Sequence, residues 1–333
     1  MRAVSIREFT QPDQIRVEEI PDPIPGCDEV LVDIRATAAN FVDLLVITGK
    51  YQFLPPRPFI PGKLPAGVVT ALGSDVRKLK VGDRVLTLAE SGGYAEKIAV
   101  PEKDCFVLPN SLSFVDAASM ALAFDTAWFA LCERGRAKAG ETVLVLGASG
   151  AVGLAAVQLA KAYGLRVLAG IADRTRDTLV LDAGADQIID LSAPDLRDSL
   201  REQVHNVTGG VGADIVLDQL GGDFFDAAIR AVAWRGRVVV VGFAAGRIAT
   251  LKVNYVLLKN MEVSGLQVSD YRKRAPDEMA HCIAEIFRLY NDGKVRAIPS
   301  VTYPLSDAPQ ALRALSSRSQ KARIILTNGK QEI

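Results

Sequence analysis

Apolar and polar positions along this chain change rhythm near residue 140. Before it, short β-like runs dominate: apolar residues alternate through Ile15-Arg-Val-Glu-Glu-Ile20, and Val30-Leu-Val-Asp-Ile34 is rich in β-branched residues. Helical periodicity is scarce in this part. Pro21, Pro23 and Pro25, then Pro55, Pro56, Pro58 and Pro61, place loops, because proline has no N–H to give to a sheet ladder. Val81-Gly-Asp-Arg-Val85 reads as a tight turn between two strands. The pattern predicts a compact β-barrel-like domain.

Beyond residue 140 strands and helices alternate. Apolar strands centre on Val143, Val167, Ile188, Ile215 and Val239, separated by helical segments ending near Gly164, Gly184, Gly210 and Gly236. Parallel strands need crossovers, and crossovers are right-handed, so this region predicts one doubly wound parallel sheet with helices on both faces. The sheet runs to about Val263. A helix over Pro276 to Tyr290 follows, with Met279, Ile283, Ile286, Phe287 and Tyr290 at helical spacing, and Lys321 to Leu326 closes the chain as a strand. Thr142 to Ala160 is uncharged and approaches the length of a membrane span. Its glycines divide it instead into strand, turn and buried helix.

Composition narrows the function. The 333 residues carry 39 basic and 39 acidic side chains, so no net charge draws the chain to a nucleic-acid backbone or an anionic membrane, and small molecules are the expected partners. Cys27, Cys105, Cys132 and Cys282 form no C-x-x-C pair, and His205 and His281 add no zinc spacing, so neither a disulfide framework nor a metal site is expected. Arg2, Arg7 and Glu8 stand where a secretory signal would be apolar, which makes a cytoplasmic location the expectation.

The strongest local motif is Gly147-Ala-Ser-Gly150-Ala-Val-Gly153, between the strand Thr142 to Leu146 and a helix. Backbone N–H groups at a helix start can meet a pyrophosphate there, and a Cβ at the closest positions would hold the phosphate away. Gly147, Ser149, Gly150, Ala151, Val152 and Gly153 are therefore candidate dinucleotide contacts. The second strand ends at Ala172 and runs into Asp173-Arg-Thr-Arg176. Asp173 stands at about the distance expected of a ribose 2′-hydroxyl ligand, which would select NAD. Arg174 and Arg176 suit a 2′-phosphate, which would select NADPH, provided Asp173 points away. The second reading is the one carried forward, against the plainer one that both arginines solvate a helix start.

Further motifs carry a resemblance: Asn40-Phe-Val-Asp43 with Gly49-Lys-Tyr51, Gly93-Tyr-Ala-Glu96, Asp125-Thr-Ala127, Gly140-Glu-Thr-Val-Leu144 and Leu258-Lys-Asn260. Together with the glycine turn they make the chain resemble, over its full length, the zinc-independent NADPH:quinone oxidoreductases of the medium-chain dehydrogenase/reductase superfamily. The resemblance implies an α/β chain with a GroES-like β-barrel catalytic domain, residues 1–120 and 264–333, and a Rossmann dinucleotide-binding domain, residues 121–263. It also implies NADPH as cofactor, a quinone or enone acceptor and a homodimer. By motif position Asn40, Lys63 and Leu122 replace the cysteine, histidine and cysteine that hold zinc in metal-dependent relatives, so a catalytic Lewis acid is not expected.

Residues carried over on the same ground are Asn40, Asp43 and Tyr51 at the catalytic end, and Thr126, Gly242, Phe243 and Arg323 around the cofactor. Plainer roles stand beside these. Asn40 and Asp43 also suit a helix cap, Tyr51 a core tyrosine, Thr126 a brace on a buried helix, and Gly242-Phe243 a strand end. The chain departs from the family pattern at Leu64 and Pro65, at Ala151, at Leu191 and at Ala322-Arg323. An enoyl-thioester reductase and a non-catalytic, crystallin-like NADPH-binding protein are the alternative functions.

Overall fold

The structure is a computed structural model that describes residues 1–317 and 320–329. Its contacts divide the chain into two units, Met1–Leu122 with the segment from Ala297 onward, and Ala123–Arg296.

In the first unit a seven-stranded sheet forms around the long strand Glu29–Ala38, which pairs antiparallel with Ala66–Leu72, Lys97–Pro101 and Arg323–Thr327. The C-terminal strand therefore joins the sheet that the N-terminal half builds, as the ladder of Ile325 on Ala38 shows. The expectation of many short strands broken by prolines holds here. The helix Phe41–Ile47 buries Leu44, Val46 and Ile47 in a core completed by Ile6, Phe59, Tyr94, Leu312 and Leu326.

The second unit is a six-stranded, fully parallel sheet. Its order in space is Gln187–Asp190, Arg166–Ile171, Thr142–Leu146, Ala213–Asp218, Val232–Val240 and Glu262–Gly265. Numbered within the unit this is 3-2-1-4-5-6, the doubly wound arrangement, whose direction reverses between Thr142–Leu146 and Ala213–Asp218. Ligands of such sheets sit beyond the carboxyl ends of the strands at that reversal. Thr142–Leu146 is strand and Ala151–Ala162 is a mostly buried helix, so the uncharged stretch folds into the core as its glycines predict. A longer apolar stretch, Phe114–Arg134, escaped the sequence reading. Composition alone would let it cross a membrane, but 78% of its most apolar 18-residue window is buried, and Leu122 at φ 62 separates the helix Phe114–Met120 from Ala123–Trp128.

Two expectations need adjustment. Gly236 does not end a helix: the helix Gly222–Ala231 stops earlier, and Gly236 lies inside the strand Val232–Val240 where the pairing register shifts. Residues 264–296, expected with the catalytic domain, group with the second unit, because the helices Val268–Arg274 and Pro276–Asn291 pack on one another and the longer one packs on Ala123–Trp128. Arg272 reinforces that packing through a buried ion pair with Asp125.

Candidate functional site

The glycine turn is built by close approach. Gly147 adopts φ 71 beside the Leu220 side chain, and Gly150, at φ −79 and ψ 171, begins the helix Ala151–Ala162. A Cβ on Gly153 would stand 2.3 Å from the Gly147 carbonyl oxygen and 2.6 Å from the Ala148 Cα. Only glycine lets this helix pack so closely on the turn. A Cβ on Gly150 would meet nothing nearer than the Gly147 oxygen at 3.4 Å, so that face is open. The first N–H groups of the helix, at Ala151, Val152 and Gly153, have no carbonyl behind them. Open space beside unpaired donors at the positive end of a helix dipole fits a pyrophosphate.

The neighbouring strand ends complete a crest. After the strand Ala213–Asp218, one carboxylate oxygen of Asp218 accepts the N–H groups of Leu220 and Gly221 at 3.0 and 2.8 Å. Its other oxygen is buried with no hydrogen-bond partner among the described residues, and burial pushes the carboxyl above its ordinary value. The N–H of Val241 donates to the Asp218 carbonyl at 2.7 Å and that of Ala244 to the Gln219 carbonyl at 3.0 Å. These bonds hold Gly242 and Phe243 beside the reversal point, with the Phe243 ring packed at Gly221. Asp218 was not singled out in the sequence, although its place before Gln-Leu-Gly-Gly222 is a turn signal of the same kind as the glycine motif.

Beyond the second strand, Asp173 is spent on its own turn. Its carboxylate accepts the N–H of Thr175 at 3.0 Å and the Thr175 hydroxyl at 2.7 Å. Arg174 forms a two-pronged pair with Asp177, at 3.0 and 2.6 Å. Arg176, the more buried arginine, is ion-paired with the other Asp173 oxygen at 3.5 Å and donates to the Ser149 carbonyl at 3.3 Å, so it reaches the glycine turn itself. Thr126 lies on the short buried helix Ala123–Trp128, which packs on Ala151–Ala162, and its N–H donates to the Asp125 carboxylate at 2.6 Å. Leu191 is buried against Gly170. The structure thus gathers Gly147, Ser149, Gly150, Ala151, Val152, Gly153, Arg176, Gly242 and Phe243 along the carboxyl edge of one sheet.

In the first unit Asn40 and Asp43 open the helix Phe41–Ile47. The Asp43 carboxylate accepts the Asn40 N–H at 2.9 Å, half of a capping box. It also accepts the Tyr94 hydroxyl at 2.8 Å. The Asn40 amide donates to the Ala38 carbonyl at 3.0 Å, and its oxygen accepts from Arg323 at 2.8 Å. Arg323 donates as well to the Ala121 carbonyl at 2.9 Å, so the residue expected near the cofactor ties the last strand to the helix start. Burial pushes the Asp43 carboxyl up, against the opposing pull of the Asn40 N–H, the Tyr94 hydroxyl and the Lys63 charge. Burial first, then the Asp43 charge, pushes Tyr94 well above its ordinary value. Lys63 is buried and ion-paired with Glu90. Tyr51 is half-buried on the same core, its ring edge-on to Phe53 at 6.2 Å. Tyr94 stood in a quoted motif without a role, and Glu90 carried no signal because its partner is 27 residues away.

Comparisons with known proteins agree with this architecture. Residues 26–110 match the alcohol dehydrogenase GroES-like domain, and residues 151–285 match the zinc-binding dehydrogenase family. A quinone oxidoreductase-like protein 2 homolog of Nematostella vectensis is 32% identical, covering 99% of this chain and 89% of its own. The quinone oxidoreductase of Sus scrofa is 30% identical, covering 98% of this chain and 97% of its own. The solved structure of Escherichia coli quinone oxidoreductase complexed with NADPH superposes with a TM-score of 0.88 at 27% identity, covering 98% of this chain and all of that one.

Proposed function

Because this chain belongs to the quinone oxidoreductase-like family of the medium-chain dehydrogenase/reductase superfamily, an oxidoreductase family, we propose that it uses NADPH to reduce a quinone or an α,β-unsaturated carbonyl without a metal. The observation that carries the reading is the glycine crest with Arg176 drawn onto it. NADPH, when bound, supplies a hydride. The chain's own part is to receive the pyrophosphate on the N–H groups of Ala151, Val152 and Gly153, and to meet a 2′-phosphate with the Arg176 guanidinium. Asp173 has little to offer a ribose, since one carboxylate oxygen accepts from Thr175 and the other pairs with Arg176, a pair that a 2′-phosphate would replace.

Reduction of the acceptor adds one hydride to an electrophilic carbon and one proton to the oxygen that becomes negative. No histidine is needed for that proton: His205 and His281 lie on helices of the cofactor unit. In the first unit the Asn40 amide is already committed to Ala38 and Arg323, which leaves the Tyr51 hydroxyl as the proposed donor to acceptor oxygen. Asn40 and Asp43 then act as supports that fix the helix start.

A single set of titrations and rates tests the proposal. NADPH is expected to bind more tightly than NADH, and Arg176→Ala to weaken NADPH by about tenfold or more with NADH little changed. Arg174→Ala should do less, its guanidinium being held by Asp177. NADPH consumption is compared on a quinone, an enal and an enoyl-thioester, with Tyr51→Phe costing more turnover on the enal than on the quinone, and elemental analysis finding no stoichiometric zinc. Preference for the thioester would make the chain an enoyl-thioester reductase. Inertness toward all three would make it a binding protein, and zinc lost with activity to a chelator would overturn the metal-free chemistry.

A further inference from the structure

The amino edge of the parallel sheet holds a second recess, of about 600 Å³, whose walls include Arg201, His205, Arg230, Trp234, Tyr255 and Lys259. It opens beside Val232, where the fifth strand begins, while Gly242 and Phe243 follow that strand's end. At about 3.3 Å per residue, this nine-residue strand sets the recess roughly 25 Å from the cofactor crest. The two sites are therefore separate.

Three cations line the recess and no carboxylate does. Arg201 is exposed and has no ion-pair partner among the described residues. Arg230 pairs with Asp198, an exposed neighbour outside the lining, and donates to the Arg197 carbonyl at 3.0 Å. The Lys259 ammonium donates to the carbonyls of Arg230 and Val232 at 2.7 and 2.6 Å, which pins it at the end of the helix Gly222–Ala231. Burial, then the charges of Arg201 and Arg230, pushes Lys259 down to about 8. Burial, then Arg201 and Lys259, holds His205 below its ordinary value, and its Nε2 has no hydrogen-bond partner among the described residues. Like charges held this close repel one another, and an anion among them removes the repulsion.

The recess also has an aromatic lip. Between the pairs Ala213 with Val232 and Ile215 with Arg237 the strand register shifts, and Arg235 takes φ 61, a left-handed conformation costly for a side chain of its size. Trp234, in this bulge, is 68% exposed. The Arg235 guanidinium lies over the indole at 5.4 Å from the ring centroid; an exposed indole beside crowded cations matches a planar base joined to phosphates, since bases of every kind stack on tryptophan and guanidinium groups bind phosphate in pairs of hydrogen bonds. A second copy of this chain fits less well. Two-fold packing of this patch on itself would bring cations against cations.

We infer that this recess is a second ligand site, one that takes a nucleoside phosphate with its phosphates among Arg201, Arg230 and Lys259 and its base on Trp234.

Calorimetric titration of ADP into protein saturated with NADPH tests it. Binding is expected, weakened about tenfold or more by Arg201→Glu and retained by Arg176→Ala. Both Arg201 and Trp234 are exposed, so their variants keep the fold. Trp234→Ala should weaken ADP yet leave inorganic pyrophosphate unchanged, because only the base stacks. At pH near 8 binding should take up as much as about half a proton, as the phosphates raise Lys259 toward its ordinary value. Heat that survives Arg201→Glu but vanishes with Arg176→Ala overturns the proposal, and so does the absence of heat with millimolar ADP. A Trp234→Ala protein that falls from dimer to monomer while ADP leaves the parent unaltered assigns the recess to a second copy instead. Failure of NADPH to bind would sink the cofactor reading alone, and Arg201→Glu would still decide this one.

Discussion

Replacing Gly153 and Gly150 one at a time by alanine separates packing from binding within a single turn. The Gly153 methyl would lie 2.3 Å from a carbonyl oxygen and 2.6 Å from a Cα, both backbone atoms that no side-chain rotation can move. The helix Ala151–Ala162 must therefore lift from the turn, and overpacking of this kind costs about 1–3 kcal/mol. For a unit of this size that lowers the melting temperature by about 2–12 °C. The Gly150 methyl meets only an ordinary contact at 3.4 Å, and its backbone angles suit any residue. Alanine there gives up at most about 1 kcal/mol of helix-start preference.

Binding should reverse the order of harm. The Gly150 methyl occupies the open face where the pyrophosphate would rest, and losing one charge-assisted hydrogen bond, about 1.5–3 kcal/mol, weakens NADPH by about tenfold to a hundredfold. Scanning calorimetry and a fluorescence titration with NADPH measure the two effects on the same samples. Undiminished NADPH affinity in Gly150→Ala would mean that no phosphate approaches this turn. An unshifted melting temperature in Gly153→Ala would mean that the close packing is not what holds the helix.

Two other outcomes follow from the same geometry. Tyr94→Phe removes a donor from buried Asp43 and should cost about 1.5–3 kcal/mol near neutral pH. Because Asp43 is raised when folded, its contribution is complete below its unfolded value of 3.8 and is lost as pH rises through the folded one; the variant raises it further, so urea midpoints should show a deficit that grows from acid to neutral buffer, and a constant deficit refutes this. Among the described residues the strand Glu262–Gly265 pairs on one side only, with Val232–Val240, and we propose that its free edge joins that of a second copy. Sedimentation should then give a dimer that Ser264→Pro disrupts and Trp234→Ala does not; a monomeric parent refutes it.

Features imposed by local backbone geometry were legible in the sequence. Gly147 and Gly153 announce a turn because one takes φ 71 and a Cβ on the other would strike the Gly147 carbonyl oxygen, and the helix Pro276–Asn291 shows in the spacing of Met279, Ile283 and Ile286. The strands centred on Val143, Val167, Ile188, Ile215 and Val239 are all present. What failed was the placement of elements whose partners are distant. Residues 264–296 look like a continuation toward the C-terminal strand, yet Arg272 finds Asp125 across 147 residues and the segment packs with the second unit.

The same reasoning explains why Asp173 and the arginines could not be apportioned from their order alone. Asp173, Arg174 and Arg176 are close enough in sequence for either acid or base to face a ribose, and composition favours neither. Conformation apportions them: Thr175 donates twice to one oxygen of Asp173, Asp177 takes Arg174, and Arg176 pairs with the other Asp173 oxygen while donating to the Ser149 carbonyl. A residue that caps its own turn is a poor ligand, because binding would first have to break the cap. Thr175 and Asp177 thus bear on the choice of cofactor through the neighbours they hold, Asp173 and Arg174, and a 2′-phosphate would exchange with Asp173 for the Arg176 guanidinium.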